Sequence, residues 1–217
     1  MHFQRLKDLH RQTRDQSAPE LSLRIHRALS WLHKAELSED DLDAQFIFLW
    51  ISFNAAYAVD VDLEYRTTEK GMFMQFFESL VRLDEDKQLY NLVWSEFSGV
   101  IRVLLDNEYI YQPFWDYHNG KLSEDEWKIS FAASKKRASI ALAHQDTTQV
   151  LSIVFRRIYT LRNQIMHGGA TWQGKVNRSQ LKDSVSLLKK IVPVMLELML
   201  QHNKNEWGEP FYPVTGV

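Results

Sequence analysis

Apolar side chains recur every three or four residues in several stretches of the chain, a spacing that predicts amphipathic α-helices. The clearest stretch follows an acidic run at 39–41, where negative charge favours a helix N-terminus. It carries a wide apolar stripe made up of Leu42, Phe46, Leu49, Trp50, Phe53 and Tyr57. We predict a helix here whose Trp50, Phe53 and Tyr57 side chains belong to the protein core.

The same spacing predicts helices over most of the remaining chain. Glycine and proline number only 8 and 5 in 217 residues, so few residues interrupt a helix. A capping-box pattern begins at Ser123, and Gly168-Gly169 is a helix-ending signal. We predict an all-α protein with a kink at Pro193. The other predicted helices cover 19–36, 69–83, 85–105 with a break near 98–99, 123–144, 147–167 and 179–202, and we expect 107–120 and 203–217 to be irregular.

The composition excludes several functional classes. The net charge of −2 argues against a protein that coats long duplex DNA, although a small phosphate site remains compatible with it. The absence of cysteine excludes disulfides and Cys-containing zinc sites. Residues 1–20 lack the apolar core of a signal peptide, and no apolar run is long enough to span a membrane. We therefore expect a cytoplasmic protein that does not associate with membranes.

The residues best suited to chemistry are Arg162 and His167, which lie at the end of the predicted helix 147–167. Arginine offers a permanent charge and a planar donor fork that suits phosphate oxygens, and histidine exchanges protons near neutral pH. Together they suit the attack of a ribose 2′-hydroxyl on the adjacent phosphorus without a metal. Five residues place them about 140° apart on an ideal helix. We expect them to converge because Gly168-Gly169 predicts that the helix unwinds at His167.

The spacing of this pair is not specific by itself. Three other pairs fit an arginine followed by a histidine after four to six further positions, namely Arg5 and His10, Arg27 and His33, and Arg137 and His144. The alternative interpretation is a salt-bridged arginine and a histidine that merely ends a helix. Neighbouring residues must therefore distinguish a functional pair from a structural one.

Those neighbouring residues resemble a known family. Residues 162–169 read Arg-Asn-Gln-Ile-Met-His-Gly-Gly and follow a helical run, and residues 50–57 read Trp-Ile-Ser-Phe-Asn-Ala-Ala-Tyr. The first segment resembles the HEPN signature, an arginine usually followed by Asn or Asp and then by a histidine. The second resembles the Trp-x-x-Phe-Asn-Ala-x-Tyr stretch of several HEPN subfamilies. The resemblance covers the helices around 20–60 and 147–202, whereas 62–145 matches nothing we can identify.

The resemblance implies an all-α, HEPN-like up-and-down helical bundle. We expect a single domain over 1–217, with its core at about 18–60 and 147–202, an inserted or extended middle at about 62–145 and an irregular tail at 203–217. Many HEPN proteins are homodimeric, metal-independent RNA endonucleases in toxin–antitoxin, antiphage or RNA-processing systems. The resemblance therefore implies RNA as substrate, and an antitoxin or a nucleotidyltransferase as a possible protein partner. The alternative is a non-catalytic dimeric module that binds a nucleotide or a partner protein.

The resemblance also assigns roles to individual residues. Arg162 and His167 take the catalytic positions, as phosphate clamp and proton shuttle, and Asn163 the supporting polar position. Asn54 and Tyr159 are further supporting candidates, because Asn54 is a polar residue in an aromatic helix and Tyr159 precedes Arg162 by three residues. Arg156 and Arg157 could add positive potential for RNA phosphates, although such residues are more often solvated or paired. We expect no metal and no cofactor.

Overall fold

A computed structural model describes residues 2–58, 69–204, 207–210 and 212, and within these ranges it contains helices and no β-strand. The all-α prediction is confirmed. The predicted boundary at 60–62 and most of the predicted tail lie outside the described residues. The α-helices of these described ranges are α1 (His2–Thr13), α2 (Pro19–Glu36), α3 (Leu42–Tyr57), α4 (Glu69–Leu83), α5 (Gln88–Asn91), α6 (Ser98–Asp106), α7 (Gln112–His118), α8 (Glu124–Ala143), α9 (Thr147–Met166) and α10 (Arg178–Gln201).

Helix α3 lies in the centre of the bundle, packed between α2 and α10. It begins where the acidic run predicts, because the Asp41 carboxylate accepts hydrogen bonds from the backbone N–H groups of Asp43 and Ala44. Trp50, Phe53 and Tyr57 are buried, so their predicted place in the core is confirmed.

An aromatic cluster joins α3, α4 and α9. The ring of Phe155 lies 4.6 Å from Phe53 and 4.7 Å from Phe77, measured between ring centroids. Val150, Val154 and Ile158 of α9 are completely buried below the same cluster. Aromatic contacts of this kind add directional stability to apolar burial. They fix one side of α9 in the core and leave part of its other side to solvent.

Two helices occur where we predicted none. Helix α7 occupies part of the segment predicted to be irregular, with Pro113 in its first turn and Phe114 packed against Trp127 at 5.2 Å. Helix α1 buries Leu6 against α2 and α10. The predicted break at 98–99 is confirmed, because a π-helical turn at Leu92–Glu96 ends there and α6 begins at Ser98. The last long helix, α10, continues on both sides of Pro193.

The described part of the tail packs on the bundle. Arg24 is buried and donates hydrogen bonds to the backbone carbonyls of Ala56, Trp207 and Gly208. The Trp207 indole N–H donates to the carbonyl of His202 at 3.1 Å. Within the described ranges, no helix has the length and apolarity required to cross a membrane.

Candidate functional site

The end of α9 is a complete Schellman motif, the hydrogen-bonded turn that commonly closes a helix. Gly168 has a φ of +73°, and its N–H donates to the carbonyl of Ile165 at 3.1 Å. The Gly169 N–H reaches back to the carbonyl of Gln164 at 2.7 Å. The helix therefore ends at His167 as the two glycines predict, and the His167 side chain is exposed at that end.

Arg162 lies one turn earlier and is half-buried. Its Nη1 donates to the side-chain oxygen of Asn163 at 3.0 Å, and its guanidinium lies 6.0 Å from the ring centroid of Tyr159. Its Nε is buried and has no acceptor among the described residues. No carboxylate among the described residues forms an ion pair with Arg162, whereas Arg178 pairs with Asp43.

No side-chain hydrogen bond joins Arg162 to His167 in the described structure. The backbone N–H of His167 still donates to the carbonyl of Asn163 at 3.0 Å, so helical hydrogen bonding continues up to His167 and unwinding begins after it. The ideal-helix separation of about 140° therefore still applies to the two side chains. Arg156, Thr160, Asn163 and His167 instead share one face of α9, because spacings of four, three and four residues keep them within about 60° of each other.

The two other supporting candidates lie in different surroundings. Tyr159 is half-buried, with ring centroids 5.9 Å from Trp50 and 6.4 Å from Phe73, so it connects Arg162 to the aromatic cluster. Asn54 is exposed on α3. Its side-chain amide forms no hydrogen bond to Arg162, Asn163 or His167 in the described structure.

The loop that follows His167 is tied to the start of α3. The Trp172 indole N–H donates to the Asp41 carboxylate at 3.0 Å, and the Gln173 N–H donates to Asp43 at 3.3 Å. The pKa of Asp41 lies below its usual value, chiefly because the Ala44 N–H donates to the carboxylate, with a further contribution from Trp172. These bonds hold the loop beside the end of α9, where it presents an exposed Trp172.

Two further arginines lie on α9, on the N-terminal side of Arg162. Arg156 and Arg157 line a cavity of about 330 Å³ together with Arg137 of α8, and we call this cavity the arginine pocket. Its wall includes Tyr111 just before α7, and Tyr159 and Thr160 of α9. Tyr159 therefore borders both the arginine pocket and Arg162.

Sequence reasoning identified Arg156 and Arg157 but missed their partners in the pocket. Arg137 belongs to a basic run at 135–137, and only the packing of α8 on α9 brings it to the pocket. The four-three-four spacing of Arg156, Thr160, Asn163 and His167 was visible in the sequence. It is the signal that could have placed them on one face.

The described residues contain no cluster of three or more His, Asp or Glu side chains arranged to hold a metal ion. No family model, curated protein or solved structure matches the chain. The HEPN resemblance stays a prediction that rests on residues 50–57 and 162–169.

Proposed function

We propose that the protein is a metal-independent RNA endonuclease of the HEPN type, acting through Arg162 and His167. The ribose 2′-oxygen attacks the adjacent phosphorus and the bond from phosphorus to the 5′-oxygen breaks. The products are a 2′,3′-cyclic phosphate and a 5′-hydroxyl end. A histidine accepts the 2′-hydroxyl proton, and another proton passes to the departing 5′-oxygen. Arg162 stabilises the charge on the non-bridging phosphate oxygens.

One observation carries the proposal. Arg162 is a half-buried guanidinium with an unused Nε and no carboxylate partner in the described structure, and it lies one turn before an exposed histidine. A purely structural arginine normally finds a carboxylate or several carbonyls, as the more deeply buried Arg24 does. The Nη groups of Arg162, which make one hydrogen bond within the described structure, instead keep donor capacity for an anion such as a phosphodiester.

A homodimer supplies the second acid–base group that cleavage requires. One protomer supplies one histidine in the motif, whereas cleavage needs a base for the 2′-hydroxyl and an acid for the leaving oxygen. Because about 140° separates Arg162 from His167 around α9, the two side chains of one protomer point in different directions. This favours a cleft in which a second copy supplies one of the two groups. Met166 and Trp172, which flank His167 in sequence, are 51% and 69% exposed, and large apolar side chains of this kind are typical of protein interfaces. We propose that the α9 ends of two copies meet there.

The proposal places the protein in a toxin, defence or RNA-processing role. The first test is cleavage of structured and unstructured RNA in EDTA by the wild type, His167→Ala and Arg162→Ala. We expect the wild type to cleave, both variants to lose at least about a hundredfold in rate, and the products to carry 2′,3′-cyclic phosphates. A substrate with 2′-deoxyribose at the cleaved position should be inert, because it lacks the nucleophile.

The matched control is His144→Ala. His144 is also an exposed histidine at a helix C-cap, with φ −90° and ψ 2° against −95° and 12° for His167, and it too follows an arginine, Arg137. Its variant should retain wild-type cleavage. Equal cleavage by wild type and His167→Ala, or none by either, contradicts the nuclease proposal and favours the non-catalytic binding module.

A further inference from the structure

The arginine pocket concentrates positive charge that the described protein does not neutralise. Arg137, Arg156 and Arg157 all line it, and none of the aspartates and glutamates that the structure describes does. None of the three forms an ion pair within the described residues, although nine ion pairs occur elsewhere in that part of the structure. Three guanidinium groups around one cavity repel each other unless an anion lies between them.

Arg157 is the most buried of the three, at 3% exposed, and it has few hydrogen-bond acceptors. Its Nη2 donates to Ser134 Oγ at 3.1 Å and weakly to the carbonyl of Leu105 at 3.4 Å, and its Nε has no acceptor among the described residues. Its guanidinium stacks on the ring of Tyr111, 4.2 Å from the centroid. A buried charged group that lines a cavity and has fewer acceptors than donors indicates a missing ligand.

Arg24 shows what a structural arginine looks like in this protein. It is 1% exposed, and its two Nη groups donate to three backbone carbonyls, although its Nε, like that of Arg157, has no acceptor among the described residues. Burial lowers the pKa of both Arg24 and Arg157 to about 10, so both remain charged at neutral pH. The two residues therefore pay a similar desolvation penalty, but Arg24 is offset by three backbone carbonyls, whereas Arg157 has one hydroxyl and one long contact to a carbonyl.

The three arginines lie at graded depths. Arg137 is exposed, Arg156 is half-buried and Arg157 is buried. A phosphodiester in the middle of a strand has a nucleotide on each side and would have to thread both through the pocket to reach Arg157. A terminal phosphate carries two negative charges at neutral pH and enters end-on. The volume of about 330 Å³ is at the lower end of the range for small-molecule sites, and the rings of Tyr111 and Tyr159 offer apolar wall for a base or sugar.

We propose that the arginine pocket binds the terminal phosphate of a nucleotide, with the phosphate between Arg156 and Arg157 and Arg137 at the entrance. The site is separate from Arg162 and His167, and neither of those residues lines it. The proposal therefore does not depend on ribonuclease activity.

The test is binding by calorimetry and by the rise in thermal unfolding temperature, with adenosine 5′-monophosphate, inorganic phosphate and adenosine as probes. We expect the monophosphate to bind, phosphate to bind more weakly and adenosine not to bind measurably. Arg156→Gln should weaken monophosphate binding at least about tenfold, because it removes charge-assisted hydrogen bonds. Arg102→Gln is the matched control, since Arg102 is an exposed arginine on α6 that does not line the pocket. It should bind like the wild type.

A buried residue such as Arg157 needs a conservative variant. Arg157→Lys keeps the charge but loses the planar donor fork, so it should fold and still bind more weakly than the wild type. Failure of every phosphate probe to bind, or equal binding by Arg156→Gln and Arg102→Gln, overturns the proposal.

Two sources of the phosphate are distinguished with oligonucleotides, using His167→Ala protein so that the RNA stays intact. If the natural ligand is an RNA end, a 5′- or 3′-phosphorylated hexanucleotide binds much more tightly than the free monophosphate, and removal of its terminal phosphate abolishes the gain. If it is a free nucleotide, the monophosphate binds at least as tightly as the oligonucleotides. Either result supports the pocket, whereas equal binding of phosphorylated and unphosphorylated RNA, unaffected by Arg156→Gln, contradicts it.

Discussion

The side-chain oxygen of Asn163 accepts a hydrogen bond from Nη1 of Arg162 at 3.0 Å, so two consecutive residues of α9 orient one guanidinium. The bond occupies one donor and leaves Nε without an acceptor in the described structure. Because Asn163 is neutral, it orients the guanidinium without cancelling its charge. This explains in physical terms why a polar residue directly after the arginine would serve a phosphate-binding site.

The first prediction concerns this bond. Asn163→Ala should lower kcat/KM for RNA about tenfold, since loss of one orienting hydrogen bond costs roughly 1.4 kcal/mol. Asn163→Asp should also be less active than the wild type, because a carboxylate accepts the same bond but cancels the charge of the guanidinium. The measurement is steady-state cleavage of a fluorescent RNA. An Asn163→Ala enzyme as active as the wild type would mean that the bond has no part in catalysis.

The sequence predicted the central helices well where local signals were strong. The spacing of the apolar residues was sufficient to predict the helix from Leu42 to Tyr57, and Gly168 and Gly169 were sufficient to predict the end of α9. Helix α7 was missed because its tyrosine-rich flanks and Asn119-Gly120 resemble a loop, although Pro113 is compatible with a first turn. Helix α1 was missed because we examined residues 1–20 only for a signal peptide, yet Phe3, Leu6 and Leu9 already have helical spacing.

The candidate site was predictable only in part. The exposed end of α9 follows from the local sequence, but the surroundings of Arg157 depend on Tyr111, Ser134 and Leu105, which are 46, 23 and 52 residues away in the chain. No spacing rule predicts that these groups meet. Among the described residues no carboxylate lies beside the three arginines, and this is likewise a property of packing, because the sequence contains 28 acidic residues in all.

Gly168 provides a test of the Schellman turn. Its φ of +73° is unfavourable for a residue with a Cβ, so Gly168→Ala should lower the free energy of unfolding by about 1 kcal/mol. Cleavage should fall as well, because His167 is the residue that the turn positions. Gly99→Ala is the control that should not lower the free energy of unfolding, since Gly99 is not among the glycines with positive φ and a Cβ there meets nothing within 4 Å. Urea unfolding of both variants measures the two effects, and equal destabilisation would contradict the assignment.

Asp41 makes the stability of this region depend on pH. The pKa of Asp41 is lower in the folded protein than in the unfolded chain. Its contribution to the free energy of unfolding is therefore fully present above the unfolded pKa of about 3.9 and is lost as pH falls through the folded pKa. Asp41→Ala should cost about 1 kcal/mol at pH 7, as expected for loss of an N-cap, and less near pH 3. Asp40→Ala, at the exposed neighbouring position, should show neither effect. A penalty for Asp41→Ala that is unchanged between pH 7 and pH 3 would rule out a role for the charge.

Arg24 and Arg157 should respond differently to the same substitution. Arg24→Met leaves the carbonyls of Ala56 and Trp207 without their donor, so we expect a loss of about 2–3 kcal/mol in the free energy of unfolding. Arg157→Met removes a buried charge whose acceptors are fewer and weaker, and the loss should be below about 1 kcal/mol. Both are measured by urea unfolding without phosphate present. A larger loss for Arg157→Met would show that Arg157 is a structural residue, which would weaken the case for the arginine pocket.

The last prediction separates a shared catalytic cleft from two independent ones. If the histidines of two protomers serve as acid and base in one cleft, only dimers with two wild-type chains cleave RNA. Wild type and His167→Ala, mixed in equal amounts and left to exchange subunits, should then show about one quarter of the activity of the same total amount of wild type, against about one half if each protomer works alone.

Sedimentation velocity must first show a dimer, and a Met166→Glu variant should shift it towards monomer because it places a charge in the proposed interface. Mixing with His144→Ala should leave the activity undiminished. Activity that falls in simple proportion to the wild-type fraction, or a wild-type protein that cleaves as a monomer, would show that the second histidine is not part of the mechanism.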